Sequence, residues 1–292
     1  MMRLLQIEIY KIFKRQRTYI AFAVIAAIIF LIQIGLKFGG HEYVGMIMGA
    51  MNGVFEVPAG EMLNGYFVCF FILNLLLVHV PILVALIAGD MISGEANMGT
   101  LRLLASKPIS RTQLVLVKFG ASVFYTFVLL VWVAILALFV SMIIFGTNSL
   151  LVPKELEANI LAPSDILWRY VGAFGFAAIG MTTIAAMSLM FSVFAENSVG
   201  PIVATVCFII VLTILMEMEI PFYDDTIKPW LFTTHMLGWK GFFYVKANDG
   251  VTINGSIANA GAIIKSGIIL LCYTGIFLFV ATWFFRRKNI LS

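Results

Sequence analysis

Six apolar runs occupy most of this chain, and each is long enough to cross a bilayer as a helix. At 1.5 Å per residue, about 20 apolar residues cross the roughly 30 Å hydrocarbon core. The runs lie at about 18–36, 62–88, 114–145, 166–194, 199–216 and 263–285. Of the 292 residues, 62% are hydrophobic and 12% are charged, a balance that a soluble core cannot accommodate. We therefore predict an all-α membrane protein with six transmembrane helices in a single domain, residues 1–292.

The distribution of lysine and arginine predicts the orientation. With both termini cytoplasmic, the inner segments hold twelve of the nineteen basic residues and four of the fifteen acids. The outer segments hold the other seven basic residues and eleven acids. Basic residues concentrate on the cytoplasmic side of membrane proteins. We predict a multi-pass protein of the plasma membrane with cytoplasmic N and C termini. The pI of about 8.9 then reflects topology, and nucleic acid is not expected as a partner.

Three segments outside the runs are predicted to be short helices. Residues 2–15 are amphipathic, with basic side chains opposite an apolar face, and membrane lipid is the expected partner of such an interfacial helix. The apolar face consists of Leu4, Leu5, Ile9, Ile12 and Phe13. An apolar stripe in 37–61 is too short to span and predicts an interfacial or re-entrant helix. The aromatic-rich segment 217–262 predicts one or two short helices in the outer leaflet, before the sixth run.

Residues that commonly carry chemistry are sparse. No Gly-x-x-x-x-Gly-Lys-Ser/Thr motif occurs, so the chain is not its own P-loop ATPase. The three cysteines lie inside apolar runs and the three histidines are scattered, so no metal site is expected. In the second run, Pro81 frees the carbonyl of Leu77. Asn74 or His79 could satisfy that group, or line a substrate pathway between subunits.

The segment 89–113 is the one sizeable internal stretch expected to lie in water on the cytoplasmic side. A short helix is predicted from apolar residues at helical spacing, and Pro108 ends it. These apolar residues are Met98, Leu101, Leu104 and Ala105. Ser110 stands three residues before Gln113, a capping-box spacing that predicts a new helix start. A helix here would lie across the ends of the second and third runs. Lys118 is expected to extend its amine from the third run towards water.

This segment carries an ordered motif. It reads Glu95-x-x-x-Gly99-Thr100-Leu101-x-Leu103-Leu104, then Pro108-x-Ser110-Arg111, then Lys118. The motif resembles the cytoplasmic signature of type-2 ABC-transporter permeases, the membrane subunits of ABC exporters. The six-run layout also resembles that family, so the likeness covers the whole chain in topology and this segment in motif. The alternative interpretation is an ordinary basic loop that obeys membrane topology.

The resemblance implies a function and a set of partners. The chain would be a single ABC-transporter transmembrane domain, with 89–113 as a coupling segment that docks on a separate ATPase. The implied coupling residues are Glu95, Gly99, Thr100, Leu101, Arg102, Leu104, Pro108 and Arg111. Two permease copies, or the chain and a paralogue, would pair and bind two cytoplasmic ATPase subunits. Those subunits would hold the ATP and magnesium, and this chain would bind no cofactor and would not be an enzyme.

Two other functions remain open at this stage. In the first alternative, the permease pair would anchor a mechanical or signalling complex and move no solute, and the sequence does not separate that role from transport. A polytopic membrane enzyme would need converging nucleophiles, bases or metal ligands at membrane depth, and the runs offer only isolated polar residues. The cargo, and export versus import, are not encoded in any motif.

Overall fold

A computed structural model describes residues 1–50, 62–101, 109–154, 157–218, 226–248 and 251–288. Six helices in these ranges are long and apolar enough to cross a membrane. They are numbered here as spans 1 to 6: Gln16–Gly40, Gly65–Asn97, Arg111–Phe145, Pro163–Phe194, Val199–Glu217 and Ala260–Arg287. The prediction of a multi-pass, largely α-helical membrane protein is confirmed.

Span 4 lies at the centre of the bundle. The most apolar part of span 4 is 67% buried inside the protein, whereas the same measure for the other spans lies between 22% and 44%. Spans 2, 3, 5 and 6 all pack against it. The other spans therefore present much of their apolar surface to the outside, as expected for helices surrounded by lipid.

The chain begins with α1, Met2–Lys14, and α2, Gln16–Ala50, which are separated by the single residue Arg15. The amphipathic helix is present, but its apolar face packs on protein: the Phe13 ring contacts the ring of Tyr125 in span 3. The prediction of a separate short helix after residue 36 is wrong for 37–50, because α2 continues to Ala50. No proline interrupts that stretch. Residues 51–61 lie outside the described part of the chain.

Span 2 consists of two helices. Asn64 caps α3, Gly65–Ala88, by accepting hydrogen bonds from two backbone N–H groups, and α4, Asp90–Asn97, follows. Gly89 keeps near-helical angles between them (φ −66°, ψ −24°), so the two helices continue one another. The expectation that residues from 89 onward face water is wrong for 90–95, all of which are buried.

Span 3 begins at the predicted position. Ser110 Oγ accepts a hydrogen bond from Gln113 N at 3.1 Å, which confirms the cap. The span contains three consecutive helical parts: α5 at Arg111–Ala134, a π-helix at Ile135–Val140 and α6 at Ser141–Phe145. The amide of Gln33 in span 1 donates to Leu136 O and to Ser141 Oγ, both at 2.9 Å. Span 1 is thereby fixed to the π-helix.

The remaining elements include two hairpins that the sequence did not predict. Strands β1, Leu150–Lys154, and β2, Glu157–Leu161, are antiparallel, with Leu150 opposite Leu161. A 3₁₀ turn at Pro163–Asp165 leads into α7, Leu167–Phe194, which is followed by α8, Val199–Glu217. The short helix α9, Phe232–Met236, lies between 3₁₀ turns at Lys228–Trp230 and Leu237–Phe243. The second hairpin pairs β3, Ala247–Asn248, with β4, Val251–Thr252, and the last helix is α10, Ala260–Arg287. The short helices predicted before the last span are therefore present.

Arg169 anchors the segment before span 6 to the beginning of span 4. Its guanidinium is fully buried and pairs with Asp165 Oδ2 at 2.6 Å. It also donates to Phe242 O at 2.6 Å and to Ser256 O at 2.8 Å. A buried arginine is tolerated only when its donors are satisfied, as they are here.

Close packing at Gly65 provides a test of this arrangement. A Cβ atom at Gly65 would lie 2.5 Å from Met142 Cα, a backbone atom that cannot rotate away. We expect Gly65→Ala to lower the free energy of unfolding by about 1–3 kcal/mol in detergent. Gly175→Ala is the control, because no atom lies within 4 Å of a Cβ there. Equal stability of the two variants would contradict the packing of span 2 on span 3.

Candidate functional site

Seven charged side chains converge at one end of the bundle, where α1 meets spans 1, 2 and 3. We call this group the charge cluster. The cluster consists of Glu8, Lys11, Arg15, Arg17, Asp90, Glu95 and Lys118. Four bases face three acids, so the group carries one net positive charge. It is the largest concentration of charge in the part of the chain that the structure describes.

Four of these groups form a closed ring of ion pairs. Lys118 Nζ lies 2.9 Å from both Glu8 Oε2 and Glu95 Oε1. Lys11 Nζ lies 2.7 Å from Glu8 Oε1 and 3.0 Å from Glu95 Oε1. Lys118 is 1% exposed and Glu95 is 5% exposed, so Lys118 does not reach water and Glu95 is not on the surface. The second carboxylate oxygen of Glu95 is buried without a hydrogen-bond partner among the described residues.

Asp90 forms the second half of the charge cluster. Its Oδ2 atom pairs with the guanidinium groups of both Arg15 and Arg17. Gly94, one helical turn further on, makes room for this carboxylate, since a Cβ there would lie 2.4 Å from Asp90 Oδ1. Asp90 therefore holds α4 against the junction of α1 and α2.

Charge neutralisation shifts the pKa values of the α1 residues. Burial alone would raise the pKa of Glu8, but the charge of Lys118 and the hydrogen bonds from Lys11 and Lys118 outweigh it, and that pKa is lowered. Burial would lower the pKa of Lys11, but the hydrogen bonds to Glu8 and Glu95 and their charges outweigh it, and that pKa is raised. Both groups are therefore held in their charged forms around neutral pH.

Span 4 caps the first turn of α4. The first N–H groups of a helix have no partner inside the helix. Here the N–H groups of Ile92 and Ser93 donate to Ser192 Oγ of span 4, at 3.1 and 2.9 Å. The Ser93 hydroxyl donates to Gly89 O at 2.7 Å. Ion pairs therefore hold α4 against α1 and span 3, and the capping hydrogen bonds hold it against span 4.

The described residues of the predicted coupling motif mostly complete the end of α4. Gly99 has φ +69°, the left-handed conformation that ends a helix, and its N–H donates to Ala96 O at 3.0 Å. Thr100 Oγ1 donates to Glu95 O at 3.2 Å, and Leu101 is buried. The exposed part of the turn is Asn97, Met98 and Gly99. Arg102, Leu104 and Pro108 lie outside the described residues.

Arg111 has an internal contact. One of its guanidinium nitrogens donates to the carbonyls of Phe285, Arg286 and Lys288 at 3.2, 3.1 and 2.5 Å. These carbonyls belong to the last turn of span 6, where a helix lacks its own donors. Lys288 in turn donates to Val193 O at 2.9 Å, at the end of span 4. The start of span 3 and the ends of spans 4 and 6 are thus tied together.

The two polar residues predicted for a pathway bond within their own helix. Asn74 Nδ2 donates to Phe70 O at 2.8 Å, and His79 Nδ1 lies 2.9 Å from Leu75 O. Neither bonds the carbonyl of Leu77 that Pro81 frees. Asn74 is half-buried and His79 is exposed. A pathway role for them therefore requires a neighbour outside this chain and stays a prediction.

An apolar cavity of about 50 Å³ lies between spans 2, 3 and 4. Leu77, Leu130 and Ala177 line it, together with Met236 from α9. Its described lining is apolar, apart from the indole N–H of Trp239. Within the described ranges, no three His, Cys, Asp or Glu side chains are grouped so that they could hold a metal ion.

The charge cluster could not be predicted from the sequence because it joins residues far apart in the chain. Glu95 pairs with Lys11 across 84 positions, and Lys118 pairs with Glu8 across 110 positions. One signal was present in the sequence. Acids are few on the basic side of a membrane protein, and three of the four predicted there enter this cluster.

Removing one buried charge tests the ring. We expect Lys118→Met to lower the free energy of unfolding by about 3–5 kcal/mol, because it leaves two buried carboxylates with one partner. Adding Glu95→Gln to Lys118→Met should recover part of the loss, since Lys11 then pairs with Glu8 alone. Lys14→Met, on the exposed face of α1, is the control and should cost less than about 1 kcal/mol. Additive losses in the double variant would show that the ring does not exist.

The shifted pKa values predict a pH dependence. A carboxylate with a lowered pKa stabilises the fold above its ordinary value of about 4.3, and this stabilisation is lost as the pH falls through the lowered pKa. A lysine with a raised pKa stabilises the fold below its ordinary value of about 10.4 and loses that effect at higher pH. We expect Glu8→Gln to be less stable than the native chain from pH 5 to 9, about the range between these values. The difference should shrink below about pH 4. A difference that is constant with pH would contradict the pairing of Glu8.

Comparison with known proteins identifies a family for the chain. None of the curated proteins compared with the chain matches it. A family model described as "Protein of unknown function (DUF2705)" matches residues 23–291, which include α4 and all of spans 2 to 6. The match starts within span 1 and leaves out α1. Because the match covers well over half of the sequence, the chain belongs to the DUF2705 family.

Proposed function

We propose that the chain is the permease subunit of an ATP-binding cassette exporter in the plasma membrane. A separate cytoplasmic ATPase docks on the turn that follows α4 and drives the spans. The observation that carries this proposal is the fixation of α4. It continues α3 within span 2 and ends in an exposed turn, and its Glu95 pairs with Lys118 of span 3. A force applied at that turn acts on two spans at once.

The contacts of α4 make it a suitable lever. An element can transmit a displacement only if it is rigidly packed against what it moves. Ion pairs link α4 to α1 and span 3, and hydrogen bonds link it to span 4. In this proposal the ATPase closes on the turn, α4 moves as a unit, and spans 2, 3 and 4 follow. The cycle opens a pathway outward between two permease subunits.

The predicted coupling residues then divide into two groups. Five of them are described: Glu95 and Leu101 are buried, Gly99 and Thr100 end α4, and Arg111 bonds to the end of span 6. The other three, Arg102, Leu104 and Pro108, lie outside the described residues and stay predicted contacts of the ATPase. Met98, which is 57% exposed, is the described residue of the proposed docking surface. Replacing Glu95 would act through the ion-pair ring rather than through a lost contact with the ATPase.

The pathway is proposed to lie between two copies of the chain, or between the chain and a paralogue. Spans 1, 5 and 6 expose large apolar side chains, and each of their most apolar parts is less than a third buried. A second subunit and lipid would share this surface. The exposed ring of His79 and the half-buried Asn74 on span 2 would supply polar groups to such a pathway. A weakly charged pathway favours an amphipathic cargo over a small ion.

A charged substitution on the docking surface tests the proposal. Met98→Glu should reduce the yield of copurified ATPase subunit about tenfold, while the thermal midpoint of the permease stays unchanged. The protein would be isolated from its native membranes, and the captured subunit identified by mass spectrometry and assayed for ATP hydrolysis. Ile253→Glu is the matched control, since Ile253 is a similarly exposed apolar residue at the other end of the bundle. No ATPase with the native chain, or equal yields for both variants, would overturn the proposal.

A further inference from the structure

The outer face of α1 is basic and partly apolar. This face, called the outward stripe, consists of Arg3, Gln6, Ile7, Tyr10 and Lys14. Ile7 is 52% exposed and Tyr10 is 64% exposed. Lys14 Nζ lies 5.6 Å from the centre of the Tyr10 ring. The stripe contains no acid, because the single acid of α1, Glu8, is buried in the charge cluster. Such a face matches an anionic surface that also accepts apolar side chains.

The connection to span 1 fixes the level of α1. Arg15 alone separates α1 from the helix that contains span 1, and its backbone is extended (φ −83°, ψ 131°). One residue spans at most about 3.6 Å. Helix α1 must therefore lie where span 1 leaves the bilayer. At that depth the outward stripe meets lipid headgroups and the ends of acyl chains.

Arg15 and Arg17 retain donors at the same level. Both guanidinium groups pair with one oxygen of Asp90, and their side chains are still 34% and 32% exposed. Each guanidinium has five N–H donors, so most of the ten are not used by that oxygen. The charge cluster also carries one net positive charge. A phosphate monoanion beside the two arginines would neutralise it and accept paired hydrogen bonds.

We propose that Arg15 and Arg17 form a binding site for the phosphate of an anionic phospholipid. Ile7 and Tyr10 insert at the level of the acyl-chain boundary, and Arg3 and Lys14 contact neighbouring headgroups. The site links lipid to α4, because the same two arginines hold Asp90. The inference rests on the contacts of α1 and on its closeness to span 1. It therefore does not depend on the proposed binding of an ATPase.

Lipid retention by the purified full chain tests the site. The protein would be exchanged into micelles with equal amounts of phosphatidylglycerol and phosphatidylcholine, and the bound lipids counted by native mass spectrometry. The double variant R15Q/R17Q should retain about tenfold less phosphatidylglycerol. The control R286Q/R287Q removes the same charge from exposed arginines at the end of span 6 and should change retention less than about twofold. An equal loss in both double variants would overturn the site.

A second variant separates lipid binding from folding. Asp90→Asn removes the acid that competes for both arginines, so it should raise phosphatidylglycerol retention even if it lowers stability. General unfolding would lower retention instead, and that result would overturn the proposal. In a third measurement, inorganic phosphate is added to the native chain as a competitor for the bound phosphatidylglycerol. It should displace little bound lipid, because it lacks the acyl chains that Ile7 and Tyr10 contact. Complete displacement would assign the site to free phosphate and contradict a lipid site.

Discussion

The buried ion pair between Lys118 and Glu95 determines how α1 and spans 2 and 3 pack together around the charge cluster. Removing water from two such charges costs several kcal/mol each, and only close pairing with further partners offsets that cost. Lys11 and Glu8 supply those partners, so the four charges are stable only when α1, span 2 and span 3 are all in place. The positions of three separate segments of the chain are therefore set together.

This constraint changes the interpretation of the motif around Glu95. The motif with a glutamate before a Gly-Thr pair predicts an exposed surface that binds a partner, but in this fold the glutamate is buried. Gly99 and Thr100 end the helix that carries it. The motif therefore fixes a short helix whose exposed end is small. In the proposed function, a partner contacts the exposed side chain of Met98, and the helix before it moves.

The sequence was sufficient for features that depend on local chemistry. Apolar length located the six spans, and the Ser110 spacing located the start of span 3. It failed where distant residues decide the outcome. The segment with Asp90 and Glu95 lies between two long apolar runs, and this position predicts that it faces water. The basic side chains that pair with these two acids belong to α1, the beginning of span 1 and span 3, and no local sequence pattern predicts this pairing. The β1–β2 hairpin was missed because Pro153 and the charged residues near its turn resemble a loop.

Amide hydrogen exchange on the intact chain tests most directly whether α4 is a buried, fixed helix. The N–H groups of Ile92 and Ser93 donate to Ser192, and the side chains around them are buried. Opening them requires separation of α4 from span 4. The expected result is protection at Ile92 and Ser93 comparable to that in the middle of span 4, with protection decreasing towards the exposed turn at Asn97, Met98 and Gly99. Exchange at Ile92 and Ser93 as fast as in an unstructured peptide would show that the segment is a water-exposed loop and would contradict the account.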